Sequence, residues 1–169
     1  GVTDERAVWP RSAPGPVLVP LGVGPAGTGG YVREFVGALW QSPAVAVPPG
    51  PETPSLVRAA LQATPVPRGR APVHIVYATP SGECSLVRHR SSAREGEWSP
   101  FANVAQACGL GDLALAVGDA PNGPLVAAWS ARAGATDPRV AFAQARVQEP
   151  AVWSAWQWLP YNLGGAREV

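Results

Sequence analysis

The sequence predicts an all-β fold made of short antiparallel strands. First, 20 Pro and 19 Gly are spread between apolar runs, a density that disfavours long helices and favours many turns. Second, apolar runs in residues 113–159 alternate with the turn segments GDAPNGP, ARAGATDP and VQEP. This pattern predicts four strands of about 6–9 residues in one antiparallel sheet. Third, a tryptophan-bearing segment recurs along the chain.

Residues 1–54 are predicted as an irregular N-terminal segment that could hold part of one more sheet. Prolines between positions 10 and 25 interrupt any helix, and Val17–Leu21 is the strand predicted there. The apolar spacing in 31–40 and 55–62 fits a helix as well as a strand, and both segments stay open. GVGPAG (22–27) fits the glycine pattern of a dinucleotide-binding turn, but in so glycine-rich a chain chance explains it better.

Residues 55–169 are predicted to form two sheets. Val73–Thr79 is rich in β-branched residues and is typical of a strand. PSGE (80–83) predicts a turn, Cys84–Ser91 the next strand, and Trp98–Ala105 the end of the first sheet. The alternating stretch 113–159 supplies the second sheet.

The two cysteines, Cys84 and Cys108, are close enough in sequence to form a disulfide, and two buried free thiols are the alternative. The only histidines are His74 and His89, and there is no CxxC pair, so no metal-ligand spacing is present and no metal or cofactor is predicted. His89 lies between two arginines and is expected at the surface.

The charge pattern narrows the range of partners. The chain has 13 Arg, no Lys and a net charge of +1, which does not resemble the basic footprint of a nucleic-acid-binding protein. No run of 18 apolar residues is present, so no membrane span is predicted.

The recurring segment reads ALWQSPAVAV at 38–47, GEWSPFANVA at 96–105 and AVWSAWQWLP at 151–160. The intervals are 58 residues from Trp40 to Trp98 and 55 residues from Trp98 to Trp153. A fixed period of this length with aromatic punctuation is typical of β-propeller blades. Because one blade cannot bury both of its faces, neighbouring blades are expected to stack on it.

Residues 55–160 resemble bacterial β-propeller proteins of the sialidase-like and the tectonin or fucose-lectin-like kind. The matching residues are Asp119, Asn122, Gly123, Trp129 and 153–156 in one blade, and Ser81, Gly82, Trp98, Ser99, Pro100 and Phe101 in the other. SSAREGEW (91–98) is similar to a sialidase Asp-box but lacks its Asp.

The resemblance implies β-propeller-type blades of four antiparallel strands, with residues 1–54 outside the two regular blades. Three blades at most fall short of the four to eight that close a ring. Other chains or copies of this chain are therefore expected to complete it. The resemblance also implies a secreted or cell-surface, lectin-like module that binds a glycan or a protein surface.

Two clusters are candidates for carbohydrate binding, because indole rings stack on sugars while Arg and Glu hydrogen-bond hydroxyls. The first cluster is Arg88, Arg90, Glu97 and Trp98, and the second is Arg146, Trp153 and Trp156. The alternative is that the tryptophans pack between blades. Core packing is expected for Trp98, Trp129 and Trp153, and is left open for Trp156 and Trp158.

Catalysis has little support in the sequence, and no catalytic residue is assigned. There is no G-x-S-x-G or H-E-x-x-H, and carboxylates are sparse. Two alternatives to a lectin-like module stay open. One is part of a sialidase-like glycoside hydrolase, in which Tyr77 and the arginines would be the candidates. The other is a structural or protein-interaction propeller.

Overall fold

The structure is a computed structural model of the chain. Six strand segments between residues 2 and 61, and Pro138, are described by their backbone. Residues described with their side chains are 72–92, 97–118, 123–132, 139–146 and 151–159.

The described part of the chain contains thirteen strands and no helix. The strands are β1 (Val2–Val8), β2 (Val17–Gly24), β3 (Gly27–Val36), β4 (Leu39–Trp40), β5 (Ala44–Val47), β6 (Leu56–Leu61), β7 (Val73–Ser81), β8 (Cys84–Ser92), β9 (Ala102–Cys108), β10 (Leu113–Val117), β11 (Pro124–Arg132), β12 (Pro138–Arg146) and β13 (Gln157–Trp158). The predicted all-β class is confirmed.

These strands form three antiparallel sheets. The first has the order β1-β2-β3-β4, with β5 also paired to β3. The second and third are four-stranded meanders of the order β6-β7-β8-β9 and β10-β11-β12-β13. The first strands of consecutive sheets are neighbours, because β1 contacts β6 and β6 contacts β10.

The segments left open by the sequence are strands. Residues 31–36 belong to β3 and residues 39–40 to β4, while β6 occupies most of 55–62. GVGPAG joins β2 to β3, and Gly24 pairs with Gly27, so this glycine pattern belongs to a β-hairpin. A dinucleotide turn would instead lead from a strand into a helix.

The turn PSGE connects β7 and β8 as predicted. Ser81 pairs with Cys84, which leaves Gly82 and Glu83 as a two-residue loop. Gly82 has a φ of 62°, a conformation that glycine adopts without the steric cost of a Cβ. The tight loop fixes the register of the whole β7–β8 hairpin.

The predicted disulfide joins Cys84 and Cys108. The two residues are directly opposite each other on β8 and β9. The bond therefore ties the start of β8 to the end of β9, across a chain separation of 24 residues.

The hydrophobic core lies between the second and third sheets. Trp129 is 1% exposed and has the largest fully buried side chain in the described ranges. Ala141 is directly opposite Trp129 on the neighbouring strand, where its small side chain leaves room for the indole. The buried members of this core are Val76, Val87, Val104, Ala107, Leu113, Ala127, Trp129, Ala131, Ala141 and Ala143.

The fourth strand of each meander differs from its prediction. Trp98–Ala105 was expected to end its sheet, but β9 begins at Ala102 and continues to Cys108. In the third sheet the last strand is only Gln157–Trp158, where a strand of about 6–9 residues was expected. In both sheets the tryptophan-serine segment lies ahead of the fourth strand. The serine of each segment is hydrogen-bonded to the third strand.

Candidate functional site

The tryptophan-serine segments, WSPF at 98–101 and WSAW at 153–156, make the same contacts in the two meanders. In the second sheet the N–H of Ser99 donates to the carbonyl of Ser91 (2.9 Å), and the N–H of Ser91 donates to the Ser99 hydroxyl oxygen (3.0 Å). In the third sheet Ser154 and Gln144 form the same reciprocal pair, at 2.7 and 3.1 Å.

The two serine hydroxyls also donate in the same way. Ser99 Oγ donates to the carbonyl of Pro100 (3.0 Å), and Ser154 Oγ donates to the carbonyl of Ala155 (3.1 Å). The sequence repeat therefore has a structural counterpart. Each serine anchors an aromatic-bearing segment to the third strand of its own meander.

The arginines of the first cluster contact the WSPF segment. Arg90 Nε donates to the Ser99 carbonyl at 2.7 Å. The Arg88 guanidinium lies 4.6 Å from the centre of the Phe101 ring, a cation–π distance. Both side chains are half-buried. Burial lowers the pKa of Arg90 from its usual value, and nearby Tyr77 partly opposes this shift. These contacts make both arginines supports of the segment.

The remaining members of the first cluster, Glu97 and Trp98, immediately precede Ser99, whose carbonyl Arg90 contacts. Glu97 is exposed and Trp98 is half-buried. The exposed aromatic of this segment is Phe101, at 53%. Sequence reasoning did not select Phe101 as a site residue, although its place in WSPF corresponds to that of Trp156 in WSAW.

The second cluster divides between two places. Arg146 and Trp153 line an open cleft of about 610 Å³ at one end of the third sheet. Trp156 is 40% exposed and does not line the cleft. The described residues of the cleft are Pro124, Gln144, Ala145, Arg146, Val152, Trp153 and Ser154.

The position of Trp153 is fixed by its surroundings. Its ring packs against the core between the sheets and against a smaller buried group of Leu125, Ala145 and Ala151. The His89 ring meets it edge-on at 5.3 Å. Trp153 thus reaches from the core, where packing was expected, to the cleft that it lines.

The other tryptophans of the third sheet form a short aromatic ladder. Trp156 meets the buried Trp129 edge-on at 6.5 Å and Trp158 edge-on at 5.1 Å. Trp158 is half-buried against the core. The exposed ring of Trp156 is therefore supported by aromatic neighbours on two sides.

A buried histidine pair was not foreseen from the sequence, which placed His89 at the surface. His74 and His89 are 3% and 2% exposed, and His74 Nδ1 lies 3.2 Å from His89 Nε2. Burial lowers the pKa of His74 to about 4; burial, with repulsion from His74, lowers that of His89 to about 3. His89 is buried because alternate residues of β8 face the third sheet.

The hydrolase alternative finds few of its residues together. Tyr77 is 3% exposed on a central strand, so its hydroxyl is not presented to a substrate. Asp112 accepts a hydrogen bond from the N–H of Leu113 at 2.7 Å. None of the described cleft residues is a carboxylate. Asp119, Asp137 and Glu95 lie outside the described residues.

The described ranges also bear on metal binding and on membrane spans. No group of three or more His, Cys, Asp or Glu side chains is arranged to hold a metal ion there. No helix in the same ranges is long and apolar enough to cross a membrane.

The comparisons with known proteins add no family. The chain matches no protein-family model, no curated protein and no solved structure.

Proposed function

We propose that this chain is a carbohydrate-binding module of the β-propeller type, and that its glycan site is the cleft at Arg146 and Trp153. The observation that carries this proposal is the cleft itself, because it brings an indole and a guanidinium together beside the polar side chains of Gln144 and Ser154. Its volume of about 610 Å³ lies within the range of small-ligand sites.

The chemistry of the cleft suits a sugar. An indole offers an apolar surface for the C–H face of a pyranose ring, and Trp153 is held in place by the core behind it. Arg146 is exposed at the end of β12 and can donate several hydrogen bonds to hydroxyl oxygens. Gln144, also exposed, adds an amide that can both donate and accept.

The propeller part of the proposal is supported by the stacking of the sheets. The second and third sheets are meanders of the same order, and their tryptophan-serine segments make the same hydrogen bonds. Neighbouring first strands, β1 with β6 and β6 with β10, are what a common axis would require. Completing a ring would need other chains or copies. The disulfide is compatible with a secreted or cell-surface location.

Glycan binding can be tested on an array and then by calorimetry with any glycan that binds. We expect Trp153→Ala to weaken binding about tenfold, because a stacked aromatic is worth up to about 1.5 kcal/mol. Trp98→Ala is the matched control, since Trp98 holds the same repeat position outside the cleft. Loss of affinity in the control alone would contradict the proposed site.

The role of Arg146 needs its own control. Arg146→Ala should weaken binding by a similar factor, because hydrogen bonds from a charged donor are worth about 1.5–3 kcal/mol. Arg132 is also exposed but ends β11 at the opposite end of the sheet, so Arg132→Ala should leave affinity unchanged. An array without any bound glycan would remove the proposal.

A protein-interaction module is the second candidate, and one observation favours it. Among the residues described with their side chains, three large apolar ones are exposed, namely Phe101 (53%), Val152 (68%) and Trp156 (40%). Exposed aromatics are enriched at protein interfaces. A glycan array without hits, together with a stable protein partner lost on Trp156→Ala, would favour this candidate over the lectin.

A further inference from the structure

The hydrogen bonds of the two tryptophan-serine segments align the two meanders residue by residue. Ser99 bonds to Ser91 and Ser154 bonds to Gln144, so Ser91 and Gln144 hold equivalent positions. The alternation of strand side chains then makes His89 equivalent to Phe142.

The strand registers extend this alignment to the neighbouring strand. Val76 is opposite His89, and Ala128 is opposite Phe142, so Val76 and Ala128 are also equivalent. The aligned positions of one face are, in order, His74, Val76, Ala78, Val87, His89 and Ser91 in the second sheet and Val126, Ala128, Ser130, Val140, Phe142 and Gln144 in the third.

In the second sheet this face is the one that packs on the third sheet. Val76 and Val87 share a buried cluster with Ala127 and Trp129. His89 reaches across to the ring of Trp153. The opposite face of the second sheet is also covered, because Ile75 and Tyr77 are 0% and 3% exposed.

In the third sheet the equivalent face points away from Trp129, and we call Val126, Ala128, Val140 and Phe142 its outer face. Among the described strands, the main contacts of β10 and β11 outside their own sheet go to β6, β7 and β9. The buried residues of the second sheet that share a cluster with Trp129 lie on the Trp129 side and not on the outer face. Val140 is 2% exposed, Val126, Ala128 and Phe142 are half-buried, and Ala116 at the margin of the same face is exposed.

We propose that the outer face is the docking surface for a second copy of this chain, which adds one of its sheets head-to-tail. The proposal rests on the propeller part of the proposed function and not on glycan binding. It extends an arrangement already present, since the equivalent face of the second sheet is covered by the next sheet of the same chain.

The chemistry of the outer face agrees with this occupant. The four outer-face residues, Val126, Ala128, Val140 and Phe142, carry no formal charge, and Arg132 and Arg146 lie on the same side of the sheet at its two ends. This apolar centre of the sheet side is complementary to another sheet face. The β1–β5 sheet stands at the other end of the stack, with contacts from β1 and β2 to β6. Such a head-to-tail contact is heterologous, so it generates a ring or a filament.

The test is the mass of the whole chain in solution, measured by sedimentation over a range of concentrations. We expect multiples of 17.5 kDa for the wild type. Ala116→Glu should raise the dissociation constant about 100-fold, because it places an unpaired carboxylate in an apolar contact. Ala116 is exposed, so this variant should fold, which far-UV circular dichroism checks. Phe142→Glu is the second variant and should give the same dissociation.

Val152→Glu is the matched control, because Val152 is 68% exposed but lies in the cleft and not on the outer face. This variant should retain the mass of the wild type. A wild type of 17.5 kDa at every concentration, or a folded Ala116→Glu with wild-type mass, would overturn the proposal. Because sedimentation needs no glycan, a failed glycan titration leaves this result intact, and a monomeric wild type leaves the Trp153 cleft untouched.

Discussion

At the scale of single residues, the histidine pair is the most unusual feature of the core. Two imidazoles share one short contact in a place where a charge would be poorly solvated. His74 Nε2 is buried and has no hydrogen-bond partner among the described residues. The repeat places apolar side chains at the equivalent positions, Val126 and Phe142, so the fold itself does not require histidines there.

The pair predicts a loss of stability in mild acid. The pKa of each imidazole falls on folding, from 6.5 to about 4 for His74 and to about 3 for His89. The unfolded chain therefore binds more protons below pH 6.5, and stability, complete above that pH, decreases as the pH falls toward 4. Each imidazole contributes a slope of up to about 1.4 kcal/mol per pH unit. Urea unfolding at pH 7, 5.5 and 4.5 would measure this dependence.

Replacing the pair with the side chains of the third sheet provides the control. In His74→Val/His89→Phe this contribution disappears, so the decrease between pH 6.5 and 4.5 should become smaller. The double variant should keep its fold, because Val and Phe already occupy the equivalent strand positions of the third sheet. An unchanged pH dependence in the double variant would show that other groups cause the acid sensitivity.

The serine anchors give a second prediction. Ser99→Ala removes the acceptor of the Ser91 N–H, and Ser154→Ala removes the acceptor of the Gln144 N–H. Each substitution should lower the free energy of unfolding by about 1 kcal/mol, since a net hydrogen bond is worth roughly that much. Denaturant titration measures the change. Ser85→Ala is the control. Ser85 lies on β8, the strand that carries Ser91. This variant is expected to have a free energy of unfolding within about 0.5 kcal/mol of wild type.

At the scale of elements, the disulfide gives the third prediction. Cys84–Cys108 closes a loop spanning 24 residues between β8 and β9. Opening it should lower the free energy of unfolding by about 3 kcal/mol, mainly through the entropy of the unfolded chain. Thermal melts with and without a reductant would measure the difference. Cys84→Ala/Cys108→Ala should melt near the reduced wild type and be insensitive to the reductant; a variant as stable as the oxidised protein would contradict this account.

The strands that the sequence identified correctly are those with an unambiguous local pattern. Val73–Thr79 is rich in β-branched residues and is followed by a glycine turn, so both β7 and the turn were predicted. Residues 31–40 have the apolar spacing of an amphipathic helix, and only pairing with other strands decides that 31–36 are extended. Local spacing does not contain that information.

The candidate site was predicted only in part, because a local pattern does not show which strands and sheets contact each other. The repeat identified Trp153 and Arg146, which line one cleft. It also grouped Arg88 and Arg90 as ligand-binding residues, and in the structure both contact the WSPF segment. The inward orientation of His89 depends on which face of β8 meets the third sheet, a fact of packing that a single strand does not reveal.

At the scale of the whole molecule, the shared core predicts that the second and third sheets unfold together. Trp129 belongs to the third sheet, but its cluster includes Val76 and Val87 of the second. Trp129→Ala should therefore cost about 3–5 kcal/mol and shift one cooperative transition, as expected for truncating a large buried aromatic. Trp156→Ala, which truncates a 40% exposed ring, should cost much less.

Two probes observed in the same denaturation distinguish this prediction from independent sheets. Far-UV circular dichroism follows all strands, and hydrogen exchange follows the amides of β7 and β8 separately from those of β11 and β12. If the two sheets unfold as one cooperative unit, Trp129→Ala lowers the exchange protection of the β7–β8 and β11–β12 amides equally. The reason is that neither sheet can remove its inner face from water without the other. Lowered protection confined to β11 and β12 would mean that each meander is stable alone, and the stacking of sheets would then not be what holds this chain together.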